Sequence, residues 1–192
     1  MTPSFHPNLY LALLHHPVTN KSGEVVASAV TNLDLHDISR SARTFGVRRF
    51  YVVTPVTDQI ALAKSIVEHW TQGPGARYNP QRQEALSLIR VTATLDDALD
   101  DAGAEAGARP QTVVTDAKEL ENAVSYQAFR NMAATGAPYM LLFGTAWGLT
   151  QDFVRQADMV LAPIRGHGAY NHLSVRSAAA IILDRILGTP DL

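Results

Sequence analysis

The stretch that decides the fold is Tyr139–Leu187, YMLLFGTAWGLTQDFVRQADMVLAPIRGHGAYNHLSVRSAAAIILDRIL. It begins inside an apolar run, Pro138–Phe143, that reads as a strand. The run breaks into GTAWGL, where Gly144 and Gly148 let backbone approach a ligand closely. A short helix over Thr150–Gln156 and a short strand over Met159–Ala162 follow. PIRGHGAYNHLS then places two glycines, two histidines, Tyr170 and Asn171 ahead of a closing helix, Leu173–Leu187. That loop is more polar than a connector needs, and binding residues gather on loops held by a rigid scaffold.

Working outward, the same alternation of short apolar runs and helical patterns fills the chain, the mark of an α/β domain around a mostly parallel sheet flanked by helices. Strands are expected at Leu9–Leu14, Phe50–Thr54, Ser87–Thr92 and Gln111–Thr115. Helices are expected from Asn32 or Asp34, either of which could cap, to Phe45; from a cap at Asp58 to Trp70; over Leu95–Ala106; and over Tyr126–Ala134. His16–Glu24 reads as a loop or hairpin-like excursion, and Thr71–Pro80 (TQGPGARYNP) as an exposed loop. No repeat or long linker divides the chain, so residues 1–192 are read as one domain. Ligands bind at the C-terminal ends of parallel strands. That directs attention to three loops: Thr115–Asp116–Ala117, Gly144–Leu149 and Pro163–His172.

Composition narrows the chemistry. Among 192 residues there is no cysteine, which removes disulfides and thiolate chemistry and suits a reducing cytoplasm. No stretch approaches the ~20 apolar residues of a membrane span, so no membrane partner is expected. The net charge of −2 is not that of a uniformly basic nucleic-acid binder. Acids do concentrate in Asp96–Glu105 and Asp116–Glu121, away from Arg40, Arg43, Arg48, Arg49, Arg165 and Arg176. There is no GxxxxGK[ST], no GxGxxG after a first strand and no HExxH. No serine has a nucleophile-elbow context. No metal is expected.

Three segments in order resemble the SPOUT superfamily of RNA methyltransferases: NLDLHDISRSARTFGV (Asn32–Val47), LLFGTAWGLT (Leu141–Thr150) and NHLSVRSAAAIIL (Asn171–Leu183). With HHPVTNKSGEVV (His15–Val26), the chain is most similar to a bacterial subfamily described beside the tRNA guanine-N1 methyltransferases. The resemblance implies a C-terminal deep trefoil knot over about 139–187 and S-adenosyl-L-methionine as cofactor, leaving as S-adenosyl-L-homocysteine. It also implies a homodimer and RNA as substrate, tRNA first and rRNA second. Residues 58–109 have no specific counterpart.

Carried over by position, the resemblance puts the cofactor against Thr115, Gly144, Thr145, Gly148, Ile164, Gly166 and Leu173, largely through backbone groups. Core packing is the plain alternative for Ile164 and Leu173. Arg40 matches a family arginine that lies beside the partner subunit's cofactor, contacting RNA phosphate or helping to activate the nucleophile. A surface arginine is the alternative there. RNA contacts are expected from Arg40, Arg43, Arg165 and Tyr170, and catalytic roles from Arg40, His172, Ser174 and Asp116. The chain departs from the 2′-O-methylating branch at Ala146, where relatives carry Glu, and at Tyr170–Asn171–His172, where they read Ser-Leu-Asn. Base methylation is therefore favoured, with Asp116, Asp37 or His172 as proton acceptor. The alternatives are a catalytically inactive knot protein that binds RNA or cofactor as a partner module, and an unknotted α/β enzyme acting on a small nucleotide.

Overall fold

The structure is a computed structural model, and it describes residues 7–168 and 170–189; Ala169 of the third loop lies outside the described residues. β1 (Leu9–Leu14) is buried at all six positions. A strand with both faces covered reads as an unbroken apolar run, as LYLALL does. The chain then makes a hairpin of β2 (Val18–Thr19) and β3 (Val25–Val26), α1 (Asn32–Thr44) and β4 (Arg49–Val53). Next come α2 (Thr57–Thr71), α3 (Pro74–Tyr78), α4 (Pro80–Leu86), β5 (Ile89–Thr92), α5 (Leu95–Ala106) and β6 (Gln111–Thr115). It ends with α6 (Tyr126–Ala133), β7 (Tyr139–Gly144), α7 (Gln151–Gln156), β8 (Met159–Leu161) and α8 (Val175–Leu187).

The six main strands stand in the order β5-β4-β1-β7-β6-β8, and every pairing is parallel. Side chains alternate across a strand, so β1 feeds two cores. Leu9, Leu11 and Leu13 pack with α1, α4, α6 and α8; Tyr10, Ala12 and Leu14 pack with α5 and α7. α8 supplies Ala179, Ile182, Leu183 and Ile186, the i, i+3, i+4, i+7 stripe of a core-facing helix.

Differences from the expected elements have local causes. Thr71–Pro80 is not all loop: Pro74 at the first helical position nucleates α3, which buries Gly75 and Ala76. A Cβ on Gly75 would stand 2.7 Å from Cε3 of Trp70, so only glycine lets α3 lie this close to α2. Five residues are too few to show a helical period. α4 follows at once, with Pro80 in its first turn and Asn79 capping it. The cap of α1 is Thr31 rather than Asn32 or Asp34. α2 begins at Thr57, so Asp58 sits inside the first turn, where its charge complements the helix dipole.

α5 is closed at both ends. Thr94 and Asp97 form a reciprocal capping box, and Gly107 ends the helix at φ 81°. Thr94→Ala is expected to cost about 1 kcal/mol, read as a lower urea midpoint at unchanged slope. An unmoved midpoint would mean the box contributes nothing.

Candidate functional site

The strand order reverses direction between β1 and β7. From β1 the chain passes through α1 to β4; from β7 it passes through α7, on the opposite face, to β8. Connections that leave adjacent strand ends toward opposite faces open a crevice, the usual ligand position in such sheets. A cavity of about 710 Å³ occupies this crevice, within the range of small-molecule sites.

Its walls come from four segments: Ser28, Thr31 and Asp34 before and within α1; Thr115 and Asp116 after β6; Gly144–Leu149 after β7; and Ile164 with Asn171–Arg176 ahead of α8. The β7 loop is pinned from outside by the hairpin: Thr19 N–H donates to Gly148 O at 2.9 Å, and Trp147 N–H to Thr19 O at 3.1 Å. Gly148 N–H donates back to Thr145 O at 3.0 Å, closing a turn that holds Ala146 at φ 52° and Gly148 at φ 99°. A non-glycine residue in the left-handed region is strain the surroundings must hold. Gly144 has no room for a side chain, since a Cβ would stand 2.8 Å from Leu149 Cγ and 2.9 Å from Leu149 N.

From below, the same loop is held by a chain of polar side chains. Thr145 Oγ1 donates to Leu14 O at 3.1 Å and lies 2.5 Å from Ser28 Oγ, which is 3.0 Å from Nδ1 of His15. His15 is fully buried, and burial pushes its pKa down to about 4 against a weaker opposing pull from the Asp34 carboxylate. The imidazole is therefore neutral at pH 7. On the other wall, Arg176 of α8 lies 3.3 Å from Asp34 and 3.6 Å from Asp37, tying α8 to α1 at the cavity edge.

Of the residues singled out from sequence, Thr115, Asp116, Gly144, Thr145, Gly148, Ile164, His172, Leu173 and Ser174 line one cavity. Thr115 Oγ1 donates to Leu142 O, and Asp116 accepts from Lys118 N–H. Asn171 donates to Ala117 O, joining the third loop to the first. Ser174 caps α8 by accepting from Ser177 N–H, so α8 begins at Val175 and not at Leu173. Arg40, Arg43, Arg165, Gly166 and Tyr170 do not line it. Arg40 is exposed on α1. Arg43 pairs with Glu84, and Arg165 with Glu119. Tyr170 is exposed, with its ring edge-on to His172.

Sequence reasoning missed His15, Ser28, Asp34, Trp147 and Arg176 as site residues. Ser28 and Asp34 had a usable signal: they follow the central strand and flank the first helix N-terminus, where ligands bind in open parallel sheets. Arg176 had none, because its partners lie 142 and 139 positions away in the chain.

A wholly parallel sheet with a nucleotide-sized cavity at its point of reversal defines an α/β domain that binds a small cofactor. The family model described as SAM-dependent RNA methyltransferase matches residues 8–188, and the chain belongs to that family. It is 46% identical over 181 residues to a tRNA (guanine-N(1)-)-methyltransferase of Oleidesulfovibrio alaskensis, covering 94% of this chain but 42% of that protein. The chain thus spans less than half the length of that relative. A protein of Aquifex aeolicus is 39% identical over 93% of this chain and 88% of its own length. Among solved structures, the SpoU methyltransferase AviRb of Streptomyces viridochromogenes in complex with AdoMet superposes with a TM-score of 0.57 at 19% identity, covering 96% of this chain and 58% of that one. The fold is that of the SpoU-type SPOUT methyltransferases.

Proposed function

We propose that this chain is an S-adenosylmethionine-dependent RNA methyltransferase, acting in the cytoplasm on tRNA, as a homodimer, at a base rather than at ribose 2′-O. The observation that carries the reading is the cavity at the β1/β7 reversal, built from the loops that the family match spans. The lining suits the cofactor. Phe143, Leu149, Ile164 and Leu173 offer apolar surface for a flat adenine, beside loop N–H and C=O groups that can read its edge. Asp34 and Asp116 add carboxylates to the wall, the charge that a sulfonium and an ammonium would call for. The reading includes a deep trefoil knot. The β8–α8 link runs beside the loop after β6, held by Ala162 N–H to Val124 O at 2.8 Å and Asn171 to Ala117 O at 3.0 Å, which supports α8 returning through that loop.

When bound, S-adenosylmethionine supplies a methyl group already activated by its sulfonium. The chain's own work is alignment and one proton. The loop after β7 fixes one side of the cavity through Thr145 and Ser28. Asp116 holds Lys118 N–H through one oxygen, leaving the other to take the proton of the attacking base nitrogen. Arg40, six residues along α1 from Asp34, is the cation offered to RNA phosphate.

Calorimetry with S-adenosylmethionine and S-adenosylhomocysteine, followed by methyl transfer to bulk tRNA and rRNA from a deletion strain, tests the reading. Asp116→Asn is expected to keep cofactor binding and lower transfer at least ~100-fold, the scale of a lost general base. Full transfer by this variant would remove Asp116 from the mechanism. A second reading is favoured by Ala146, standing where the resembled 2′-O-methylating relatives carry Glu: a catalytically inactive module that binds cofactor or RNA. Cofactor binding with no transfer to any RNA fraction would select it.

A further inference from the structure

The segment of α2, α3 and α4 has no part in the cavity, yet it builds an unusual surface against α1. Trp70, at the end of α2, is its centre. Gly75 of α3 packs against one edge of the indole, and His36 of α1 meets it edge-on at 5.3 Å between ring centroids. The Arg82 guanidinium of α4 lies over the ring at 4.6 Å. His36, Arg40 and Arg43 are spaced i, i+4, i+7 and so form one stripe on α1. Burial first, and then the charges of Arg82 and Arg40, push the His36 pKa below the usual histidine value, with Asp37 opposing.

Two features turn the cluster into a binding surface. Among the described residues, Arg40, Arg77 and Arg82 have no carboxylate within ion-pair distance, while Arg43, Arg49, Arg109, Arg155, Arg165 and Arg176 all do. Arg48, Arg90, Arg130 and Arg185 lack one too, so what marks this side is an exposed aromatic ring standing next to such a cation. Next to Arg77, Tyr78 is 87% exposed, the most exposed of the large hydrophobic side chains. Nothing in packing calls for an aromatic ring there. An exposed ring flanked by unpaired guanidiniums is what nucleic-acid backbones and unstacked bases bind: phosphate to the arginine forks, a base to the ring face.

We propose that the surface formed by Arg77, Tyr78 and Arg82, continuous with Arg40, docks single-stranded or loop RNA beside the methylation cavity. This rests on the RNA methyltransferase reading above and extends it to a segment outside the cavity. Trp70 holds the Arg82 guanidinium over its ring, which lowers the entropic cost of binding a phosphate there. Asp34 on the cavity wall and Arg40 are six residues apart on one helix, roughly 9 Å along its axis. α1 therefore carries residues of both the cavity wall and this surface.

Fluorescence anisotropy with labelled bulk tRNA, at two salt concentrations, tests this on the full chain. Arg77→Ala with Tyr78→Ala alters two exposed side chains, and Arg82→Gln removes the stacked cation. Circular dichroism and cofactor calorimetry serve as fold controls. The expected result is RNA binding weakened about tenfold by either change, with a salt slope reduced by about one per lost phosphate contact and cofactor affinity unchanged. Wild-type and variant binding tRNA equally would overturn the surface while leaving the methyltransferase reading intact. A wild-type chain that binds neither tRNA nor rRNA would overturn both. Equal RNA affinity with lost binding to poly-glutamate would assign the surface to an acidic protein and overturn the RNA proposal.

Discussion

Gly144→Ala is expected to weaken S-adenosylmethionine binding by roughly 10- to 100-fold while leaving the protein folded. The added Cβ would meet Leu149 Cγ at 2.8 Å and the Leu149 backbone nitrogen at 2.9 Å. The side chain could turn away, but the backbone atom cannot. Leu149 is bridged to Val18 of the hairpin, and its neighbours Trp147 and Gly148 are bonded to Thr19. Relief must come from moving the loop itself, which forms one wall of the cavity. Overpacking of this kind costs about 1–3 kcal/mol, and each 1.4 kcal/mol charged to binding is about tenfold. Calorimetry reads it directly. Gly166→Ala is the control: nothing among the described residues lies within 4 Å of a Cβ there, and Gly166 does not line the cavity, so that variant should bind as the wild type does. Unchanged binding by Gly144→Ala would remove the β7 loop from the cofactor site.

The contrast between those two glycines shows what was legible in the sequence. Both lie in polar loops after late strands, and both read as cofactor contacts. Only the one whose loop is clamped by a hairpin more than a hundred residues upstream reaches the cavity. The apolar runs LYLALL and YMLLFG gave strands that match to within a residue at their ends, because burial on both faces leaves an unambiguous pattern. Leu95–Ala106 was legible to the residue, because Thr94 and Gly107 punctuate it. α3 was not, since a five-residue helix led by proline and containing glycine shows only breakers. The three late loops were marked by their place at the strand ends and their residues by the resemblance, and most of those residues line one cavity. Ser28 and Asp34 carried a signal in their place after the central strand, but Arg176 carried none, because its role exists only once α8 lies against α1. Arg43 and Arg165 show the converse. As bare sequence they are free cations, and the fold gives each a carboxylate partner.

Lowering the pH should loosen the site from within, through His15. Its folded pKa is depressed from 6.5 to about 4, chiefly by burial. Between those values the unfolded chain takes up a proton that the folded chain refuses, so unfolding gains free energy as pH falls. The stability that neutral His15 permits is fully present above about pH 6.5. It is lost through the window down to about pH 4, and below that both states are protonated. The total is of the order of 3 kcal/mol. Denaturant unfolding at pH 7 and at pH 4.5 measures it, with His15→Asn as reference, since that variant keeps a polar group toward Ser28 but cannot titrate. The wild type should lose stability more steeply than the variant across this window, and parallel curves would rule out His15 as the source. Function should follow the same window. Thr145 gives its hydroxyl proton to Leu14 O, so Ser28 gives its own to Thr145 and accepts from Nδ1–H of His15. A second proton on the ring sits on the buried, unpartnered Nε2, and relieving it displaces the ring that anchors Ser28, Thr145 and the cofactor loop. Affinity for S-adenosylhomocysteine, whose binding needs no chemistry, is therefore expected to fall between pH 6.5 and pH 4.5 in the wild type and to fall less in His15→Asn.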